Sequence, residues 1–295
     1  MTYLTRSTLA LLIFVPLMGP AAAATQGPRV AVSIPPIHSL VAGVMAGIGL
    51  PDLIVKGAAS PHAYSLKPSD ARTLNRANLV FWIGPEMELF LERPLKSLSE
   101  KARIVTLIKN ESLHLLVDEN QHSHDPHIWL DPANAAAIVS VAERELSALD
   151  PKNAARYGEN AKNMLIRLDK MDQDIRRQLK PVAHIPLLVF HDAYAYFANA
   201  FLLNVVGAVV INPERLPGAA RASSIRRLIR DSKVRCLFRE PQLQSSLLTS
   251  LIGDQDTTTV AVLDPLGASL VPGENLYFDL MEGNARSVVD CAQNN

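Results

Sequence analysis

The stretch Asp150–Pro181, DPKNAARYGENAKNMLIRLDKMDQDIRRQLKP, lies midway along a chain of 295 residues. Apolar residues recur within it at Tyr157, Ala161, Met164, Leu165, Leu168, Met171, Ile175 and Leu179. Steps of three and four put these residues on one face of a helix. Asp150 suits the N-cap and Pro151 the first helical position. Lys180-Pro181 ends the pattern, because proline cannot continue a helix. The spacing predicts one helix over 151–182, about 45 Å long. That is the length of a small domain, so the helix reads as a rigid strut between two lobes.

Short β-like runs alternate with helical stretches on both sides of the strut. Before it come strand candidates Arg29–Ser33, Leu79–Ile83 and Ile104–Thr106, with helices near 37–48, 69–77 and 86–99. After it come strand candidates Pro186–Phe190, Asn204–Val210, Val234–Phe238 and Thr258–Val262. Helices are predicted near 193–202, 219–232, 242–253 and 275–291. Strands separated by helices at this spacing form βαβ units with parallel sheets. The expected fold is therefore two similar α/β lobes, residues 25–150 and 183–295, joined by the long helix 151–182.

Residues 1–24 stand apart. They carry Arg6 as their one charge, an apolar run from Leu9 to Met18, and the small-residue stretch Gly19-Pro20-Ala21-Ala22-Ala23-Ala24. This is the pattern of a cleaved secretory signal peptide. The competing reading, an N-terminal membrane anchor, fits poorly with so short a run interrupted by proline and glycine. The chain has 29 basic and 29 acidic residues, and removal of Arg6 leaves a formal charge of −1. Near-neutrality argues against a nucleic-acid partner. Two cysteines cannot build a four-thiolate metal site, and in an oxidising compartment Cys236 and Cys291 are expected to pair.

Imidazole is a common zinc ligand, so the positions of the eight histidines among these strands and helices matter. His62 lies in a small-residue loop after the apolar run Leu53-Ile54-Val55, and His191 directly follows the strand 186–190. Asp264 follows the strand 258–262 in the same way. Ligands of open α/β sheets collect beyond the carboxyl ends of strands. With His127, these residues make a sensible tetrahedral zinc set, though spacing alone does not bring them together. His38 reads as a residue of a helix N-terminus rather than of the cleft lining, and His114 and His184 read as packing or surface residues. Glu86, Glu88 and Glu92 read as a solvated helix face. Asp192 and Glu240 are candidates to accept the outer N–H of a ligating imidazole, with Glu240 preferred.

Five motifs in order sharpen this reading: Ser60-Pro61-His62-Ala63-Tyr64-Ser65-Leu66-Lys67-Pro68-Ser69-Asp70, Asp125-Pro126-His127-Ile128-Trp129-Leu130-Asp131-Pro132, Phe190-His191-Asp192-Ala193-Tyr194-Ala195-Tyr196-Phe197, Glu240-Pro241-Gln242 and Leu263-Asp264-Pro265-Leu266-Gly267. In these the chain resembles the metal-specific solute-binding proteins of ABC uptake transporters, most closely the periplasmic zinc-binding type. The resemblance implies a metal held in the interlobe cleft by His62, His127 and His191, with Asp264 or a water fourth. It also implies an inner-membrane ABC permease as partner, a periplasmic zinc chaperone as a possible second one, a monomeric chain and no enzymatic activity. Two departures stand out. The His-rich loop of such zinc importers shrinks here to Gln121-His122-Ser123-His124, either a second, weaker zinc site or a solvated polar loop. Pro61 stands where some relatives carry an acid. Three neutral imidazoles favour Zn²⁺ over manganese, which prefers oxygen ligands. A manganese or iron carrier of the same fold and a zinc-dependent hydrolase with Glu240 as base are the competing readings.

Overall fold

Fully apolar runs in the sequence become the buried centres of two parallel sheets. A computed structural model of the chain describes residues 27–98, 102–118, 123–211, 217–241 and 258–293. The predicted signal peptide, His122 and the helix expected near 242–253 lie outside the described residues. In the N-terminal lobe the strands are β1 (Val30–Val32), β2 (Asp52–Leu53), β3 (Leu79–Trp82) and β4 (Arg103–Thr106), in the order β2-β1-β3-β4, all parallel. Helices α1 (Pro35–Val44), α2 (Pro68–Arg76) and α3 (Leu89–Leu98) lie between them in sequence. A hairpin of β5 (Val117–Asp118) and β6 (Ser123–His124) follows, and then α4 (Pro132–Leu149).

The predicted strut is α5 (Ala154–Leu179), 26 residues long and so about 39 Å. Pro151 opens a single 3₁₀ turn before it rather than its first α turn. The Asp150 carboxylate does not cap that turn; it accepts hydrogen bonds from Asn153 Nδ2 and the Tyr157 hydroxyl. The predicted face is the one buried: Tyr157, Ala161, Met164, Leu168, Met171, Ile175 and Leu179. Near its start, Asn160 donates to the carbonyls of Val44 and Ala46, both at 2.9 Å, and so closes the end of α1. Near its end, Arg176 donates to the Ala200 carbonyl, in the other lobe.

That second lobe contains β7 (Leu187–His191), α6 (Ala195–Phe201), β8 (Val205–Val210), α7 (Ala219–Asp231), β9 (Cys236–Arg239), β10 (Thr259–Val262) and α8 (Leu276–Gln293). Its sheet, β10-β9-β7-β8, is again all parallel. Cys236 and Cys291 are joined in a disulfide that ties β9 to the end of α8. Helix α8 turns back onto the first lobe. Tyr277 donates its backbone N–H to Ser39 Oγ at 3.0 Å and its hydroxyl to the Trp129 carbonyl at 2.8 Å. Arg167 of α5 stacks on Phe278 and bonds Asn275. One apolar core runs through both lobes, from Val32 and Phe81 to Phe197 and Tyr277. A shared core and a single strut leave little freedom for a hinge.

The glutamate run departs from its sequence reading. Glu86 is exposed, but Glu88 is fully buried. Its carboxylate accepts from Ser33 Oγ at the end of β1 and from the N–H groups of Ile83 and Gly84 just past β3. Burial pushes its pKa up to about 7, against the opposing effect of those hydrogen bonds. The expected solvated face therefore has a strand-end anchor in its middle. Tertiary packing, invisible to a charge pattern, decides this.

Candidate metal centre

Each of three histidines reaches the cleft by a different route. Beyond β2 the chain continues alongside β1, with Val55 N–H bonded to the Ser33 carbonyl at 2.9 Å. It then leaves the sheet in a loop over 56–67 that contains no helix or strand. His62 lies in this loop. The loop is fastened downstream by Tyr64, whose hydroxyl donates to Asp70 at 2.9 Å and whose ring meets Phe90 at 5.0 Å. His127 precedes the 3₁₀ turn Ile128–Leu130, whose three residues are all buried. His191 is the last residue of β7, paired with Val210 of β8, so it stands in the strand rather than after it.

The three rings converge. Their centroids lie 5.1–5.6 Å apart, and one nitrogen from each falls within 4.8 Å of the others. Among the described residues this is the one group with the geometry to hold a metal ion. The rings line a cavity of about 30 Å³ together with Met87, Trp129, Glu240 and Leu266. That volume suits an ion with a water.

The chemistry of the donors favours a cation. His127 Nδ1 donates to Asp125 Oδ1 at 2.7 Å, and Asp125 Oδ1 also accepts the His127 backbone N–H at 2.9 Å. His191 Nδ1 lies 3.2 Å from Glu240 Oε1, an ion-pair distance at which neither buried atom makes a hydrogen bond. These contacts leave Nε2 of both rings for the cleft. His62 Nε2 is buried with no partner at all. An orphaned buried nitrogen costs stability unless a ligand takes it up. Burial, reinforced by the neighbouring imidazoles, pushes the His62 pKa down to about 3. His62 therefore stays neutral, as a metal ligand must be, across the ordinary pH range.

The remaining sequence candidates fall in different places. Asp264 lies outside the three-histidine group. Its Oδ1 accepts the N–H groups of Leu266 and Gly267, and its Oδ2 that of Ala268. It thereby shapes a tight turn in which Gly267 takes φ +73, a left-handed conformation that glycine adopts without strain. Pro265, inside that turn, accepts from Trp129 Nε1 at 2.7 Å. Asp192 is exposed, whereas Glu240 is buried against His191. His124 is exposed on β6, one residue before Asp125. His38 sits inside α1, buried, with Nε2 2.9 Å from the Pro51 carbonyl. His114 and His184 are exposed.

Sequence reasoning missed two contributors. Asp125 is one; its signal was an Asp two residues before a candidate ligand, the spacing of an Asx turn. Tyr196 is the other. It comes from the second lobe and bridges the first, donating to the Asp125 carbonyl at 3.1 Å and accepting from Leu116 N–H at 2.9 Å. No local pattern announces a contact across 71 residues.

The chain as a whole is similar to known proteins. The chain is 37% identical to the high-affinity zinc uptake system protein ZnuA of Brucella abortus (strain 2308), over 89% of this chain and 91% of that protein. It is 32% identical to the ZnuA of Paracoccus denitrificans, over 95% and 97% of the two chains. Its fold matches a crystal structure of ZnuA with a TM-score of 0.79 at 22% identity, covering 91% of this chain and all of that one. It also matches the solute-binding protein FpvC of Pseudomonas aeruginosa in complex with Mn²⁺, with a TM-score of 0.80 at 23% identity, covering 91% and 99%. Likeness at that level speaks for the fold and not for the metal. The family described as zinc-uptake complex component A, periplasmic, matches residues 30–291, and the chain belongs to that family.

Proposed function

We propose that the mature chain captures Zn²⁺ in the periplasm and delivers it to an inner-membrane ABC permease, acting as a binding protein and not as an enzyme. The relatives' zinc-uptake role supports the cargo. The observation that carries the reading is the convergence of His62, His127 and His191 from both lobes on one small cavity. Three neutral imidazoles suit zinc. A water completes the tetrahedron in this reading, because the Asp264 carboxylate already accepts three backbone N–H groups. Residues 1–24 act as the export signal and are removed. The lobes divide at the long helix, into 25–150 and 183–295. His122 and His124 serve as a weaker accessory zinc site, and a periplasmic metallochaperone is a second partner.

Elemental analysis of the purified mature chain tests the reading. One zinc per chain is expected for the wild type. Splitting the roughly 10–16 kcal/mol of a four-ligand zinc site gives about 3 kcal/mol per ligand. Each His→Ala change at 62, 127 or 191 should then weaken zinc about a hundredfold. Stoichiometric tight zinc in His62→Ala would refute the ligand set.

A further inference from the structure

Both of the buried rings at the site are backed by a carboxylate. We propose that Asp125 and Glu240 are a pair of positioning residues that fix the two imidazoles and match the site to a doubly charged cation. The inference rests on the zinc-capture reading and deepens it.

The observations are geometric. The side chains of Asp125 and Glu240 are 10% and 6% exposed, and those of the two histidines 5% each. Among the described residues, the only ion-pair partner of either carboxylate is its own histidine; neither is within reach of a Lys or Arg. Among the described residues no Lys or Arg balances these two buried carboxylates, and a buried acid is costly to hold charged without a balancing cation. The cavity in front of the rings is where that balance would be supplied. A dication there neutralises both carboxylates through neutral imidazoles, whereas a monocation leaves one charge unmatched.

The pair is itself held from both lobes. Asp125 is fixed through its own Asx turn and through Tyr196 of the second lobe. Glu240 directly follows β9, the strand whose first residue is in the disulfide, and β9 pairs with β7, which ends in His191. The buried Tyr194 hydroxyl lies beside Glu240, whose charge, with that of Asp264, adds to the effect of burial and pushes the phenol well above its ordinary range. Among the described residues His62 has no ion pair of this kind; its Nε2 is buried without a hydrogen bond, and its ring lies 5.5–5.6 Å from the other two.

Charge and orientation can be separated by variant. Asp125→Asn and Glu240→Gln keep an acceptor for the ring N–H but remove the charge, whereas Asp125→Ala and Glu240→Ala remove both. Affinities for Zn²⁺ and for Ag⁺, a redox-inert monocation that also takes imidazole, are read by chelator competition on the mature chain. The amide variants should lose zinc affinity about tenfold or more and Ag⁺ affinity by a clearly smaller factor, and the alanine variants should lose both heavily. Amide variants that bind zinc as the wild type does, or that lose both ions equally, would overturn the charge-matching claim. Orientation has a readout that needs no variant. Two-bond ¹H–¹⁵N spectra of the metal-free wild type should show His127 and His191 protonated at Nδ1. Protonation at Nε2 would overturn the positioning role. A wild type that binds no zinc would defeat the capture reading itself, whereas tight wild-type zinc with unchanged variants would defeat only this inference.

Discussion

The two lobes have the same four-stranded parallel sheet and are held together differently. In the first, β1 and β3 are buried on both faces within the main core. In the second, β7 splits its residues by the period of a strand: Leu187 and Val189 join the main core, whereas Leu188 and Phe190 join a separate small cluster with Ile225 and Ile229 of α7. The second lobe adds what the first lacks, a covalent tie from β9 to the end of α8. The lesson is that one architecture reaches rigidity by two means. The first lobe relies on burial, and the second supplements a divided core with a disulfide. Both end in the same task, since each brings histidine to one cleft.

This contrast can be broken first at the disulfide. Its cysteines are 55 residues apart, which by chain entropy corresponds to about 4 kcal/mol of stability. Replacing both cysteines by Ala should lower the unfolding free energy by that order in urea titrations. A loss under about 1 kcal/mol would mean that the second lobe does not depend on the tie.

A smaller effect is expected where the lobes clasp. Tyr277→Phe removes the hydroxyl that donates to the Trp129 carbonyl and leaves a buried acceptor unpaired. The cost should be about 1–2 kcal/mol. The shared core also predicts a single unfolding transition for the wild type by both calorimetry and fluorescence. Two separated transitions would show that the lobes are independent.

A third effect is spread over several pH units. In the unfolded chain His62 titrates near 6.5, and in the fold at about 3. Between these values the unfolded chain binds a proton that the native state refuses, so stability of the metal-free protein falls as the pH drops from 6.5 towards 3. His62 contributes at most about 1.4 kcal/mol per pH unit. Glu88 acts oppositely: with its pKa raised from 4.5 to about 7, it takes stability away as the pH rises through that interval. His62→Ala should therefore flatten the acid side of the stability curve of the metal-free protein, measured by thermal melts from pH 4 to 7. An unchanged acid slope would contradict the burial argument.

Much of the fold was legible because long periodic patterns survive tertiary context. Helix α5 announced itself through its spaced apolar face, and the strands through runs such as Leu79–Trp82. Helix α4 was not anticipated, although Asp131 accepts from Ala133 N–H as its N-cap and Pro132 occupies its first turn. Its alanine-rich start, Ala133 to Ala137, blurs the contrast between faces on which periodicity depends. At the site, residue type and strand-end position named His62 and His191, and the motif around His127 added the third through the family resemblance, but their convergence is a property of topology. Asp125 shows the limit most clearly. Its role depends on a turn of three residues and on Tyr196, which lies 71 positions away.

The central claim is that imidazoles from both lobes hold the cargo ion together. Zinc K-edge X-ray absorption on the zinc-loaded mature chain tests it directly. The account predicts three imidazole nitrogens at about 2.0–2.1 Å and one further light-atom ligand. A shell with one or no imidazole, or an oxygen-dominated six-coordinate shell, would contradict it.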